Sequence, residues 1–428
     1  MSSEGDYDRK GGQSDATMTK LMTGNAAAAW GARMARVDYI PAFPITPQTE
    51  IIETLSKWIR QGEMNARLVQ LESEHSMFTA AGTASLAGAR VFTATSSQGL
   101  LFGFEMLYNI SGWRAPLVFV NVSRGLASPI TLEPDHNDIL STRDSGFLQF
   151  HAENAQEVLD LVLLAYRIAE DKRVRLPVAV NMDGFYLSFT REGVELPDQK
   201  KVNDFLPEYE AEHPFRATAP VSKASSVLSG SVYSYFRYQM HSSALQANNV
   251  FAEAAGDYYE LSGRHLAPVE GFMLDDAEYV LVMTNSFTTI GKQAVRRLRE
   301  RGFPAGLLKL VMLRPFPKLE IEKHLSNRKV VAVFDQNIAP GSGGIIYPEV
   351  VSTLYHSRNR PEAILPVVGA LGGKHLSYEE LESVFRQMKD IHEGKRTLTG
   401  PTFLMTGDEL EQVQNNLRIA GVGRSASK

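Results

Sequence analysis

The chain has 428 residues, a formal net charge of −5, 43% hydrophobic and 22% charged residues, and no cysteine. That length suits two or three domains, and that composition excludes a disordered chain or a coiled coil. Without cysteine there is no disulfide, thiolate zinc site, cysteine nucleophile or cysteine-ligated iron–sulfur cluster, so any electron-transfer cluster belongs on another chain.

A negative chain has no overall positive field, which argues against nucleic acid and anionic membrane as partners. Its apolar runs, such as residues 117–120, fall far short of the roughly 18–20 residues of a membrane span. Residues 1–20 are polar, with Gly5, Gly11 and Gly12, and read as a disordered tail, not a signal peptide; the expected address is cytoplasmic.

A first block follows over residues 21–197. Gly24-Asn25 can cap an Ala-rich helix over 26–35, and a short apolar strand over 39–43 is broken by Pro44-Ile45-Thr46-Pro47. Pro47 suits a first helical turn, placing Thr46 at the N-terminal end of a helix over 48–60. Strands over 67–71, 89–95, 117–122 and 178–182 alternate with helices over 76–87, 99–111 and 155–170, which predicts a parallel sheet with flanking helices. Residues 198–269, with Pro207, Pro214 and Pro220, form a crossing linker with one helix over 245–262. A second α/β block, residues 270–400, carries strands over 279–284, 305–312 and 329–334, with helices over 291–302, 319–325 and 345–355. Residues 401–428 are expected to be a C-terminal tail, with 424–428 disordered.

Ligands of open α/β sheets bind beyond the carboxyl ends of the strands. In the first block that rule selects Thr46 and residues 72–75, 96–99 and 123–125. Thr46 is suited to an anionic group or to plain helix capping. Glu72, Glu74 and His75 offer acid/base chemistry or, more weakly for want of a second His at metal spacing, a metal site, or are first-turn acids that complement a helix dipole. Arg124 is a bidentate receptor for a carboxylate, or half of a surface salt bridge. Asp135-His136-Asn137-Asp138 fits a polar loop as well as a catalytic cluster. Gly341-Ser342-Gly343-Gly344 lacks the Lys-Ser/Thr of a P-loop and reads as a tight turn.

In order, the chain presents Gly24-Asn25-Ala26-Ala27-Ala28, Phe43-Pro44-Ile45-Thr46-Pro47, Glu72-Ser73-Glu74-His75-Ser76 and Thr93-Ala94-Thr95-Ser96-Ser97-Gln98-Gly99. It continues with Arg143-Asp144-Ser145-Gly146-Phe147, Ala152-Glu153-Asn154, Arg314-Pro315-Phe316-Pro317 and Asp335-Gln336-Asn337. This series resembles the alpha chain of pyruvate:ferredoxin oxidoreductase and related 2-oxoacid:acceptor oxidoreductases. The resemblance implies a thiamine-diphosphate pyrimidine-binding domain over 21–197 and a transketolase C-terminal-like α/β domain over 270–400. It implies that Glu74 contacts the pyrimidine N1′, that Ile45 flanks the cofactor, and that Thr46 and Arg124 hold the substrate carboxylate. No Gly-Asp-Gly…Asn-Asn motif for a diphosphate and its metal is present, so the resemblance places Mg2+ and [4Fe-4S] clusters on partners. Those partners are a beta subunit completing the thiamine site, gamma/delta-type subunits with ferredoxin-like clusters, and ferredoxin or an NAD-linked acceptor subunit, with coenzyme A as co-substrate.

The implied reaction is oxidative decarboxylation of a 2-oxo acid, with pyruvate first in line. Many relatives carry an aromatic residue where this chain has Ile130-Thr131-Leu132. If that loop lines the acyl side of the site, a larger acid such as phenylglyoxylate, or a branched-chain acid, is the rival. A non-oxidative thiamine enzyme half and a non-catalytic α/β binding subunit are the remaining readings.

Overall fold

The computed structural model describes residues 18–419. Val118–Ser123 and Val178–Asp183, buried at every position, pair in parallel at the centre of the first sheet. Strands buried along their whole length belong where helices cover both faces. Phe92–Thr95 and Leu148–His151 flank them in parallel. A single parallel bridge from Val91 to Tyr39 leads on to the parallel pair Tyr39–Ala42 and Arg67–Gln70. Six carboxyl ends therefore open on one edge, where open α/β sheets hold their ligands.

On one face, helix Gly24–Met34 packs against Ala155–Ala169. The approach needs Gly31, since a methyl there would lie 2.8 Å from Val162. The helix cap is Thr23, whose hydroxyl accepts from the Ala26 amide at 3.0 Å, rather than Gly24-Asn25. The expected tail over 1–20 needs a correction at its end. Met18–Thr23 is a strand paired antiparallel with Arg191–Leu196, because that partner turns Val194 and Leu196 inward and leaves its backbone free to pair. The rest of the expected N-terminal tail, residues 1–17, lies outside the described residues.

The second sheet runs in the order Thr402–Phe403, Ala363–Val368, Val330–Asp335, Tyr279–Thr284, Ala305–Leu310, Val269–Phe272. All its pairings are parallel except that of Val269–Phe272, an antiparallel edge. The strand expected over 305–312 ends at Leu310, and Met312–Arg314 crosses back to pair antiparallel with Leu148–His151 of the first sheet. One covalent segment thus ties the two sheets together.

The crossing segment holds helix Gln199–Phe205 and a 33-residue helix, Gly230–Ser262, longer than the expected 245–262. The expected C-terminal tail is also ordered in part. Thr402–Phe403 extends the second sheet, the buried Leu404 donates to the Val368 carbonyl at 2.9 Å, and Gly407–Ile419 is helical. The expectation for residues 424–428 lies outside the described residues. Among the described residues no helix is long and apolar enough to cross a membrane.

Candidate active site

Ser73 caps helix Glu74–Leu86 by accepting from the Ser76 amide at 3.2 Å, which fixes Glu74 as the first helical residue just beyond strand Arg67–Gln70. Glu74 is 4% exposed. Burial pushes its carboxyl above the ordinary carboxylate value, and its own backbone amide pulls the other way. Facing it is Gly99, where a methyl would lie 2.3 Å from Glu74 Oε1 and 2.7 Å from Thr95 Oγ1. Only a glycine lets the turn after strand Phe92–Thr95 close on the carboxylate.

Arg124 follows strand Val118–Ser123 and is 6% exposed. Its Nη1 donates to the Thr46 carbonyl at 2.8 Å and its Nη2 to Gln98 Oε1 at 2.5 Å. Both acceptors are neutral. Burial lowers the guanidinium pKa, offset by the charge of Asp138. A cation held in this way, with no carboxylate among the described residues hydrogen-bonded to it, suits an anionic ligand; the surface salt bridge is not what the described fold builds.

Thr46 and Arg124 therefore come together, though not as expected. Helix Thr49–Arg60 begins three residues after Thr46, with Gln48 in the cap position, so the exposed Thr46 caps nothing and meets Arg124 through its carbonyl. Ile45, half-buried beside it, accepts from the Gln48 amide at 3.0 Å. Glu72 does not join the site; it is exposed and bonded to Ser76.

Asp138 is the residue that sequence reasoning undervalued. It is fully buried at the start of the short helix Asn137–Ser141 and gathers five donors: the amides of Ser97 (3.0 Å), Arg124 (3.2 Å) and Ile139 (2.7 Å), Asn121 Nδ2 (3.1 Å) and Ser123 Oγ (3.0 Å). One carboxylate thus sets the two turns that carry Gln98 and Arg124. Behind it His136 Nε2 meets Asp183 Oδ1 at 2.7 Å, and Asp183 accepts from the Ser286 amide at 3.0 Å. His151 Nδ1 meets Asn285 Oδ1 at 2.6 Å. Polar residues at several neighbouring strand ends were the available signal.

Other readings resolve as structure. Thr131 turns its methyl toward Gly125, whereas Ile130 and Leu132 are exposed, so within this chain the loop does not close over the site with an apolar side chain. Asp335 accepts from the amides of Ile346 (2.8 Å) and Tyr347 (3.1 Å), and a methyl on Gly344 would collide with it. The glycine turn therefore serves a helix start. Glu153, Glu157 and Glu270 lie close enough for a metal, yet the Lys309 ammonium sits among them at 3.0, 2.5 and 2.6 Å and supplies the cation itself.

Around Glu74 and Arg124, the buried Thr95 Oγ1, Ser96 Oγ, Gln98 Nε2 and Arg124 Nε have no partner among the described residues. Orphaned polar atoms beside a carboxylate to which no side chain donates fit a heteroaromatic ring with both donor and acceptor nitrogens, plus an anion.

Residues 30–256 match the family model described as pyruvate flavodoxin/ferredoxin oxidoreductase, thiamine diP-binding, and residues 277–381 match pyruvate:ferredoxin oxidoreductase core domain II. The chain is 38% identical over 377 residues to pyruvate synthase subunit PorA of Pyrococcus furiosus, covering 88% of this chain and 95% of that one. It is 37% identical over 375 residues to ketoisovalerate oxidoreductase subunit VorA of Pyrococcus horikoshii, covering 87% and 94%. In fold it is similar to a 2-oxoglutarate:ferredoxin oxidoreductase from Magnetococcus marinus, with a TM-score of 0.65 at 18% identity over 86% of this chain and 65% of that chain. A thiamine-family match spanning more than half the chain, together with relatives at this identity along nearly their whole length, makes the chain a member of the pyruvate flavodoxin/ferredoxin oxidoreductase family of thiamine diphosphate-dependent 2-oxoacid oxidoreductases.

Proposed function

We propose that the chain is the alpha subunit of a cytoplasmic, multi-subunit enzyme that converts pyruvate and coenzyme A to acetyl-CoA and carbon dioxide, passing two electrons to clusters on partner subunits. The observation that carries this reading is the buried Arg124 guanidinium, hydrogen-bonded among the described residues only to neutral oxygens, one of them on Gln98, whose neighbour Gly99 closes on the buried Glu74 carboxylate. Thiamine diphosphate, when bound, supplies the carbanion chemistry of decarboxylation. Glu74 would hold a proton at its carboxylate for exchange with a ring nitrogen of the cofactor, a task favoured by its raised pKa. Arg124 binds the 2-oxo acid carboxylate through donor capacity its two protein acceptors leave free, and the exposed Thr46 hydroxyl adds a hydrogen bond. Ile45, half-buried beside Thr46, would contribute to holding the cofactor.

On this reading residues 21–197 form the pyrimidine-binding domain, and residues 270–400, free of catalytic groups, form the transketolase C-terminal-like domain. Diphosphate, Mg2+ and [4Fe-4S] clusters sit on the beta and gamma/delta-type subunits, with ferredoxin or an NAD-linked subunit as acceptor. A branched-chain acid is the second reading, favoured by the similarity to a ketoisovalerate oxidoreductase subunit. Phenylglyoxylate rests on the loop at residues 130–132 lining the acyl side of the site, where Leu132 is exposed on this chain. The test is a subunit inventory of the native complex joined to a 2-oxo acid screen. Highest kcat/KM with pyruvate is expected; a tenfold preference for 2-oxoisovalerate selects the second reading, and turnover of no 2-oxo acid overturns both.

A further inference from the structure

Helix Gly230–Ser262 spans about 50 Å at 1.5 Å per residue, yet its buried residues, from Ala247 to Tyr258, all lie in its C-terminal half. The N-terminal half exposes Val232, Tyr233, Tyr235, Phe236, Tyr238 and Leu245, with Tyr235, Phe236 and Tyr238 at 61%, 53% and 71%. Aromatic side chains bury about 150–250 Å² each, so this half-exposed set offers roughly 500–700 Å², close to the ~800 Å² that one side of a standard protein interface buries. Beside it runs a groove of about 930 Å³ floored by Tyr108, Trp113, Tyr209 and Met240.

The charge of this face is one-sided. Between Glu212 and Glu253 the chain has no Asp or Glu, but it has Arg216, Lys223 and Arg237. The groove is further lined by Arg114, Lys172 and Arg175, with Glu212 as its one acid. Arg237 lies over the Tyr233 ring and donates to its hydroxyl at 2.9 Å, so the cation is held within the aromatic face. Two-fold pairing with a second copy would set this predominantly basic surface, on which Arg114, Lys172, Arg175, Lys223 and Arg237 outnumber Glu212, against itself.

We infer that the N-terminal half of helix Gly230–Ser262, with the groove beside it, is the docking surface for a different polypeptide that presents an apolar ridge flanked by carboxylates. Aromatic residues and arginine dominate binding where water is excluded, and the carboxylate rim sets orientation and salt dependence. The surface lies outside the Glu74–Arg124 site, but its occupant as a fellow subunit rests on the multi-subunit reading above.

The test places a benzophenone-bearing residue at position 238, in place of Tyr238, in the native complex, with the adduct identified by mass spectrometry. The expected adduct joins this chain to a different subunit at a peptide containing Asp or Glu. Arg237→Glu, and Tyr235→Glu with Tyr238→Glu, are expected to weaken that association at least tenfold while the variant chain melts like the parent. An adduct to a second copy or to the same chain, no adduct in an assembled active complex, or unchanged association of both variants overturns the inference. If this chain alone oxidises 2-oxo acids at the full rate, the multi-subunit reading fails with it, which separates the two failures.

Discussion

A buried cation bonded only to neutral oxygens is costly unless something negative arrives, and Arg124 is such a cation. Its position depends on Asp138, which anchors the amides of Arg124 and Ser97 together. Asp138→Asn keeps the shape but turns an amide toward five donors. The expected result is a KM for the 2-oxo acid raised about tenfold or more, with a smaller change in kcat, as for an interaction that places a binding group. Steady-state kinetics of the complex read it directly, and an unchanged KM removes the positioning role. His151 gives a second test at this scale. Burial, reinforced by the charge of His136, lowers its pKa to about 3. Between about pH 6.5 and 3 the unfolded chain therefore binds a proton that the folded chain does not, so His151 removes stability as pH falls through that window, by at most about 1.4 kcal/mol per pH unit. His151→Gln is expected to flatten the acid limb of a stability–pH curve. Glu74 and Arg124 were legible in the sequence because each stands at a strand end. Asp138 was not, since its five partners come from three separate segments and local sequence shows only a polar run.

At the level of elements, the site is made by turns that close tightly on one another. Gly99 admits the Glu74 carboxylate, and a methyl there would sit 2.3 Å from Oε1. Gly99→Ala should displace Glu74 and lower kcat/KM by about a hundredfold, the scale of a small misplacement of catalytic groups, with Tm little changed. Kinetics and a melting curve on one preparation check it. The alternating strands and helices of both blocks were legible from apolar runs, and Tyr279–Thr284 lies where periodicity puts it. Helix Asn137–Ser141 and strand Leu148–His151 escaped notice because short elements carry little periodic signal and are held by distant pairing. The first half of helix Gly230–Ser262 escaped for another reason: its aromatic residues are exposed, so no single apolar stripe marks it.

Across the whole molecule, the two sheets meet through Met312–Arg314 and through a buried charge cluster in which Lys309, 1% exposed, lies among Glu153, Glu157 and Glu270. Lys309→Met leaves three crowded carboxylates without their central cation. Breaking a buried ion cluster from one side costs about 3–5 kcal/mol, so Tm should fall by several degrees; calorimetry of the complex measures it. On the function proposed above, the absence of cysteine and the placement of Glu74 and Arg124 assign the organic reaction to this chain and the electrons to its partners. The most direct test is Glu74→Gln in the assembled complex, followed by 2-oxo acid-dependent reduction of an electron acceptor. Loss of a positioned proton-transfer group predicts a fall of about 10²–10⁴-fold in kcat with subunit composition unchanged. Near-parental turnover in the intact variant complex would contradict the account.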